Sequence, residues 1–218
     1  MLKALIFDFD GLILDTETPE FTALNEAYAE FGQTLSIETF GLAVGSQYDL
    51  EFEPFSRLEE LTGRKLDAGA FWQKAHQRRL DLIEQSPLLP GVENLIRAAR
   101  ARGLKLAVAS SSPHDWVEGH LKRHQMLDFF DVIKCKEDVP NIKPAPDLFL
   151  ATLRALDVAA DEAVIFEDSL NGVIAAQKAG IPVIVVPNPI TEHMHVETKT
   201  PRLNSLAEIS LDDLAGKL

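Results

Sequence analysis

Two carboxylates stand at positions 8 and 10, in Asp8-Phe9-Asp10-Gly11, directly after the apolar run Ala4–Phe7. A short apolar run without periodicity reads as a strand buried on both faces. Residues two apart on such a strand share a face, so Asp8 and Asp10 are expected to point the same way and Phe9 into the packing. Gly11 permits a sharp exit or a close approach of backbone to ligand. A second acidic pair, Glu167-Asp168, follows the apolar run Ala163–Phe166 and precedes Ser169. Taken singly, the first pair reads as an acidic turn and the second as a helix cap. Taken together, they bring four carboxylates to one sheet edge, where ligands bind in open α/β sheets. At 4 Å, each like-charged pair costs about 4 kcal/mol at an effective dielectric of 20. Such a cluster calls for a cation, and oxygen-only ligands favour a hard one such as Mg2+.

Two further residues suit an anion at the same edge. Ser110 follows Leu106-Ala107-Val108-Ala109, and its hydroxyl, with the backbone N–H groups of Ser111 and Ser112, would suit a phosphate oxygen. Ser112-Pro113 reads as a helix N-cap followed by proline at the first helical position. Lys143 lies in Ile142-Lys143-Pro144-Ala145-Pro146-Asp147, where the prolines stiffen the turn and start a helix. Lys-Pro is ordinarily a surface turn. Between a strand and a helix, a fixed lysine could neutralise a carboxylate and a phosphoryl oxygen together.

The elements that must position these residues are legible as an alternation. Strand-like runs recur at 4–7, 105–109, 131–134, 163–166 and 182–186. Helical periodicity separates most of them, bounded by Gly91 and Gly103 and by Ser169 and Gly180. Alternating strands and helices predict an α/β fold with a parallel sheet. The stretch from Thr16 to Pro87 differs, because it offers helical patterns near 18–32, 36–42, 50–61 and 68–84 and no good strand. A helical block therefore interrupts the sheet after its first strand, dividing the chain into 1–15 with 88–218 and 16–87.

Asp8-x-Asp10-Gly11-x-x-x-Asp15-Thr16-Glu17, then Ser110, Lys143-Pro144 and Glu167-Asp168-Ser169-x-x-Gly172 resemble, in order and placement, the haloacid dehalogenase superfamily of phosphotransferases. The likeness spans almost the whole chain and is strongest to the branch of phosphoglycolate-type phosphatases and β-phosphoglucomutases. It implies a Rossmann-like parallel sheet core with an inserted α-helical cap domain. It also implies roles. Asp8 would attack phosphorus and become an aspartyl phosphate. Asp10 would serve as general acid and then base. Ser110, Ser111 and Lys143 would hold phosphoryl oxygens. Mg2+ would be held by Asp8, the backbone carbonyl of Asp10 and Asp168, with Glu167 binding directly or through water.

The cap should set specificity, with Thr16, Glu17, Gly45, Ser46, Gln47 and Lys74 as candidates and Arg78 behind them. For Lys74 and Arg78 the competing reading is a solvated helix face, and for Gly45 a plain turn between helices. The family's mutases carry a cap histidine where this chain has Glu20, and an arginine after a Gly-x-x turn where Val44-Gly45-Ser46-Gln47-Tyr48 has none. Both departures favour a phosphatase over a mutase. The dehalogenases lack the second carboxylate that Asp10 provides, and a non-catalytic binder would be expected to have lost a motif residue.

The resemblance implies a small phosphorylated metabolite as the partner. A formal net charge of −13 argues against a nucleic-acid partner. No apolar run approaches the roughly 20 residues that span a bilayer, and the start resembles no signal peptide. A cytoplasmic monomer or weak dimer is expected. Cys135, the single cysteine, cannot form an internal disulfide and reads as a small buried hydrophobe. His120 and His124 have the spacing of a zinc pair but no third ligand, so an exposed helix face is expected. His193 and His195 read as a surface loop, and Trp72 and Trp116 as core or interface packing.

Overall fold

The computed structural model describes residues 1–41, 53–193 and 200–217. The strands are β1 (Ala4–Phe7), β2 (Lys105–Ala109), β3 (Val132–Lys134), β4 (Ala163–Glu167) and β5 (Val183–Val185). The helices are α1 (Glu17–Ala29), α2 (Ile37–Gly41), α3 (Pro54–Thr62), α4 (Ala68–Glu84), α5 (Val92–Ala101), α6 (His114–Arg123), α7 (Asp147–Leu156), α8 (Leu170–Ala179) and α9 (Leu211–Lys217).

The five strands form one parallel sheet in the order β3-β2-β1-β4-β5. All four residues of β1 are fully buried, because the two faces of the sheet have separate cores. Leu5, Phe7, Leu106, Val108, Val164 and Phe166 pack on one face against residues of α5, α6 and α9. Ala4, Ile6, Ala107, Ala109, Ile165 and Val183 pack on the other against residues of α7 and α8. Burial on both sides removes any reason for polar alternation, which is why these strands read as continuous apolar runs. The chain leaves β1 toward β2 and β3, then returns to β4 and β5. The reversal places the crevice beside the carboxyl end of β1.

Between β1 and the return to the sheet, α1 to α4 build a third cluster from Leu24, Tyr28, Leu35, Phe40, Leu58 and Phe71, joined by Ile190. The α1 helix begins at Glu17, with Asp15 Oδ1 accepting the Thr18 N–H at 3.0 Å and Pro19 inside the first turn. The expected helix over 50–61 instead begins at Pro54, because the Glu53 carboxylate takes the N–H groups of Phe55 and Ser56. Tyr28 donates its hydroxyl to the Pro54 carbonyl at 2.5 Å, tying α3 to α1. Ile83, near the end of α4, belongs to the core under the sheet. The last turn of the insertion is thus anchored there.

A second helix start differs from the sequence reading. The α6 helix begins at His114 with Pro113 as its N-cap residue, and no side chain caps it. Ser112 lies one residue too early to cap, and its hydroxyl is used at the site described next.

Candidate active site

The carboxyl ends of β1 and β4 are joined where the Asp8 N–H donates to the Phe166 carbonyl at 3.0 Å. Beyond that link, one carboxylate oxygen from each of Asp8, Glu167 and Asp168 lies within 4.8 Å of the others, and all three residues are buried. Lys143 reaches this cluster from the loop before α7. Its Nζ donates to Asp8 Oδ1 and to Glu167 Oε1, each at 2.5 Å, and sits 5.0 Å from the Phe149 ring centroid. Burial, repulsion from Glu167 and repulsion from Asp10 push the Asp8 carboxyl up to about 7, against the pull of Lys143. Burial works against the Lys143 charge, yet the attraction of Asp8 and Glu167 holds its ammonium above the ordinary lysine range.

Glu167 has little bonding capacity left. Its Oε2 accepts from the N–H groups of Asp168 and Ser169 and from the Ser169 hydroxyl, each at 3.0 Å. Ser169 in turn caps α8 by accepting the Gly172 N–H at 3.1 Å. A Cβ on Gly172 would fall 1.8 Å from the Glu167 carboxyl carbon, so only glycine leaves room for this arrangement. Glu167 orders the start of α8 and holds Lys143.

Asp10 does not share the company of Asp8. Its carboxylate lies outside the cluster, because the strand ends at Phe7 and the shared-face rule stops with it. Asp10 Oδ1 accepts from the Thr16 hydroxyl and from the Trp116 indole N–H, each at 2.9 Å. Asp10 Oδ2 accepts from Ser112 Oγ at 2.6 Å and Ser110 Oγ at 3.3 Å. The Ser112 N–H, expected to face a ligand, donates instead to Ser110 Oγ at 3.0 Å. Ser111 has no hydrogen-bond partner among the described residues.

Asn188 completes the site and was not singled out from the sequence. It is buried, and its Nδ2 donates to Asp168 Oδ2 at 2.8 Å, Glu17 Oε2 at 2.7 Å and the Gly11 carbonyl at 3.3 Å. Its Oδ1 accepts the N–H groups of Ile190 and Thr191. A Cβ on Gly11, whose φ is +74°, would lie 2.4 Å from Asn188 Nδ2 and 2.5 Å from Asp168 Oδ2. The glycine is needed both for its turn and for this close approach. Burial, then mutual repulsion within the cluster, holds the Glu17 and Asp168 carboxyls well above the usual range. The available signal was position: Asn188 follows the last strand between two prolines, at the edge where ligands gather.

Of the cap candidates, Thr16 and Glu17 meet the site. Gly45, Ser46 and Gln47 lie outside the described residues, as does His195. Lys74 pairs with Glu30 and Arg78 with Glu26 on an exposed face of α1 and α4, the solvated alternative for both. His120 is not on an exposed face. It is half-buried, its ring 4.3 Å from that of Trp116 and 6.2 Å from that of Phe9. Burial and the nearby Arg123 push its pKa down to about 4. Cys135 is buried in the core, where burial and neighbouring acids push its thiol up to about 12. Cys135 also lies near His114 and Glu137, but both ring nitrogens of His114 are already held, by Glu118 and Asp138.

The donor set at the main cluster is oxygen only, and its three buried carboxylates face a single lysine. That chemistry fits a hard divalent cation.

This combination of sheet, insertion and acidic strand ends has known counterparts. The family model described as haloacid dehalogenase-like hydrolase matches residues 5–186, and the chain belongs to that family. The Bacillus subtilis protein YhcW, named as a candidate phosphatase, is 44% identical over 97% of this chain and 95% of its own length. Hexitol phosphatase B of Escherichia coli K12 is 32% identical over 99% and 97%. The crystal structure of CbbY from Rhodobacter sphaeroides in complex with phosphate is 31% identical, covers 99% of this chain and 100% of that one, and has a TM-score of 0.75. Among the described residues no helix is long and apolar enough to cross a membrane.

Proposed function

We propose that this protein is a Mg2+-dependent phosphatase of a small phosphorylated metabolite, of the sugar-phosphate kind, working through an aspartyl phosphate on Asp8. The observation that carries the reading is the division of labour between Asp8 and Asp10. One is held by a buried lysine inside an oxygen-only cluster. The other, two residues on, is held apart by four donors.

In the first step an Asp8 oxygen forms a bond to phosphorus while the bond from phosphorus to the leaving oxygen breaks. The electron pair stays on that oxygen, which takes a proton from Asp10. In the second step water attacks phosphorus and gives its proton to Asp10. The bond between phosphorus and Asp8 breaks, freeing inorganic phosphate and restoring both groups. Lys143, Ser110 and the Ser111 N–H supply positive charge and donors for the phosphoryl oxygens. Asp8, Asp168 and the Asp10 backbone carbonyl would hold Mg2+, which when bound offsets the charge gathered on the phosphoryl group. Glu167, its oxygens committed to Lys143 and α8, supports this set from behind.

We assign 1–15 and 88–218 to the catalytic core and 16–87 to a cap that excludes water and selects the substrate. The protein is taken as a cytoplasmic monomer or weak dimer. The competing reading, a β-phosphoglucomutase-like transferase, passes the phosphoryl group to a sugar hydroxyl. Glu20, at the position of the mutases' cap histidine, faces Arg79 across 3.7 Å, and the name hexitol phosphatase B supports hydrolysis. Phosphate release from a panel of phosphorylated metabolites tests the proposal. Asp8→Asn is expected to lower release by on the order of 10⁴-fold, and EDTA to abolish it. Retained turnover in that variant overturns the nucleophile. A strict requirement for glucose 1,6-bisphosphate favours the mutase.

A further inference from the structure

The Asp10 carboxyl has two unlike ends. Three of its four partners are hydroxyls, which can donate or accept as the proton count changes. The fourth, the Trp116 indole N–H on Oδ1, is a donor only. Oδ1 therefore faces a donor that cannot turn to accept, which disfavours a proton on that oxygen. Oδ2 meets only hydroxyls, those of Ser112 and Ser110, which can turn to accept as well as donate. Oδ2 also lies beside Ser110, the residue assigned to the phosphoryl group.

The indole that imposes this choice is held from both parts of the molecule. The Arg79 guanidinium, from α4, lies over the ring at 4.8 Å from its centroid. His120, one turn along α6, meets it edge-on at 4.3 Å and itself stacks on Phe9, the residue between the two aspartates. Arg79 Nε is buried without a hydrogen-bond partner, with the Glu20 carboxylate at 3.7 Å. The guanidinium thus lies between the Glu20 carboxylate and the indole face. A ring clamped in this way aims its N–H in one direction.

We propose that Trp116 is a positioning residue for catalysis: it fixes Oδ1 of Asp10 so that Oδ2 exchanges the proton with the leaving group and the water. This rests on the reading of Asp10 as acid and base, and the experiment separates the two. Wild type, Trp116→Phe, Asp10→Ala and the double variant are compared by kcat/KM on an alkyl phosphate, whose leaving oxygen needs a proton, and on p-nitrophenyl phosphate, whose leaving oxygen needs it less. Phenylalanine keeps an aromatic ring beneath Arg79 but loses the N–H and part of the indole volume, so the Asp10→Ala background is the control for lost packing. Asp10→Ala is expected to lower the alkyl rate by about a hundred-fold or more. Trp116→Phe is expected to lower it by about ten-fold, to lower the ratio of alkyl to aryl rates, and to cost nothing further in the Asp10→Ala background. Trp116→His, which keeps a ring N–H, is expected to lose less than Trp116→Phe. An equal loss from Trp116→Phe with and without Asp10 overturns the proposal and leaves only a packing role. So does the absence of any loss, or a histidine variant worse than phenylalanine. If Asp10→Ala itself hydrolyses the alkyl phosphate at the wild-type rate, the acid-base reading has failed. Full Asp10→Ala loss with a silent Trp116→Phe removes the Trp116 inference alone.

Discussion

The α/β core and the helical insertion both join acids to bases, in opposite surroundings. In the core, the side chains of Lys143, Asp8 and Glu167 are 5%, 10% and 0% exposed. In the insertion, those of Lys74 and Glu30 are 62% and 47% exposed, and those of Arg78 and Glu26 42% and 50%. Exposed pairs gain little, because water and salt screen them and ordering two long side chains costs entropy. The buried set is costly to desolvate and is a poor device for stability alone. Its presence at the ends of β1 and β4 is explained by the proposed mechanism, which uses that charge.

The sharpest way to break this comparison is to remove one charge from each region. Lys143→Met leaves Asp8 and Glu167 buried without their cation, and is expected to destabilise the protein by about 3–5 kcal/mol in urea denaturation with EDTA present. A loss below about 1 kcal/mol would place the core set in the same class as the surface pairs. Gly172→Ala comes next. The helix gains about 1 kcal/mol from alanine, but the new Cβ would overlap Glu167, so a net loss of about 1–3 kcal/mol is expected, together with lost turnover. A stabilised variant would show that the place of Glu167 is not constrained.

The pH dependence of stability reports on the border between the regions. His120 titrates near 4 in the folded protein, below its unfolded value of about 6.5. The unfolded chain therefore binds the extra proton first. Stability attributable to His120 is present above about pH 6.5 and is lost as the pH falls toward 4. After allowance for solvent screening, a loss on the order of 1 kcal/mol is expected in melts across that range, and His120→Phe should flatten it. The smallest effect belongs to the insertion: Lys74→Met and Arg78→Met should each leave the thermal midpoint almost unchanged.

Much of the core was legible because burial on both sheet faces forces apolar runs, and a polar residue directly after such a run stands out. Asp8, Ser110, Glu167 and Asp168 were singled out in this way, and Lys143 by its rigid turn between strand and helix; the structure places all five at the carboxyl edge of the sheet. The partners of Asp10 were not. A local rule assigned Ser112 to helix capping, but a tertiary acceptor 102 residues away takes its hydroxyl. Trp116 looked like packing, which it is, and sequence cannot show where the polar end of an indole points. Asn188 looked like a turn between prolines. Lys74 was a cation in the right domain, but its ammonium is taken by Glu30.

The central strand carries a consequence for how the chain must assemble. On the ribosome β1 and the two aspartates that follow it emerge well before either neighbour of that strand, β2 from Lys105 or β4 from Ala163. The cation that neutralises Asp8 lies 135 residues downstream, and the amide that closes on Gly11 lies 177 residues downstream. Until the chain has been made past Lys143 and Asn188, the nascent segment is apolar and tipped with uncompensated negative charge. Loop closure over such distances is slow. The early acidic tip then helps to keep the waiting segment in water.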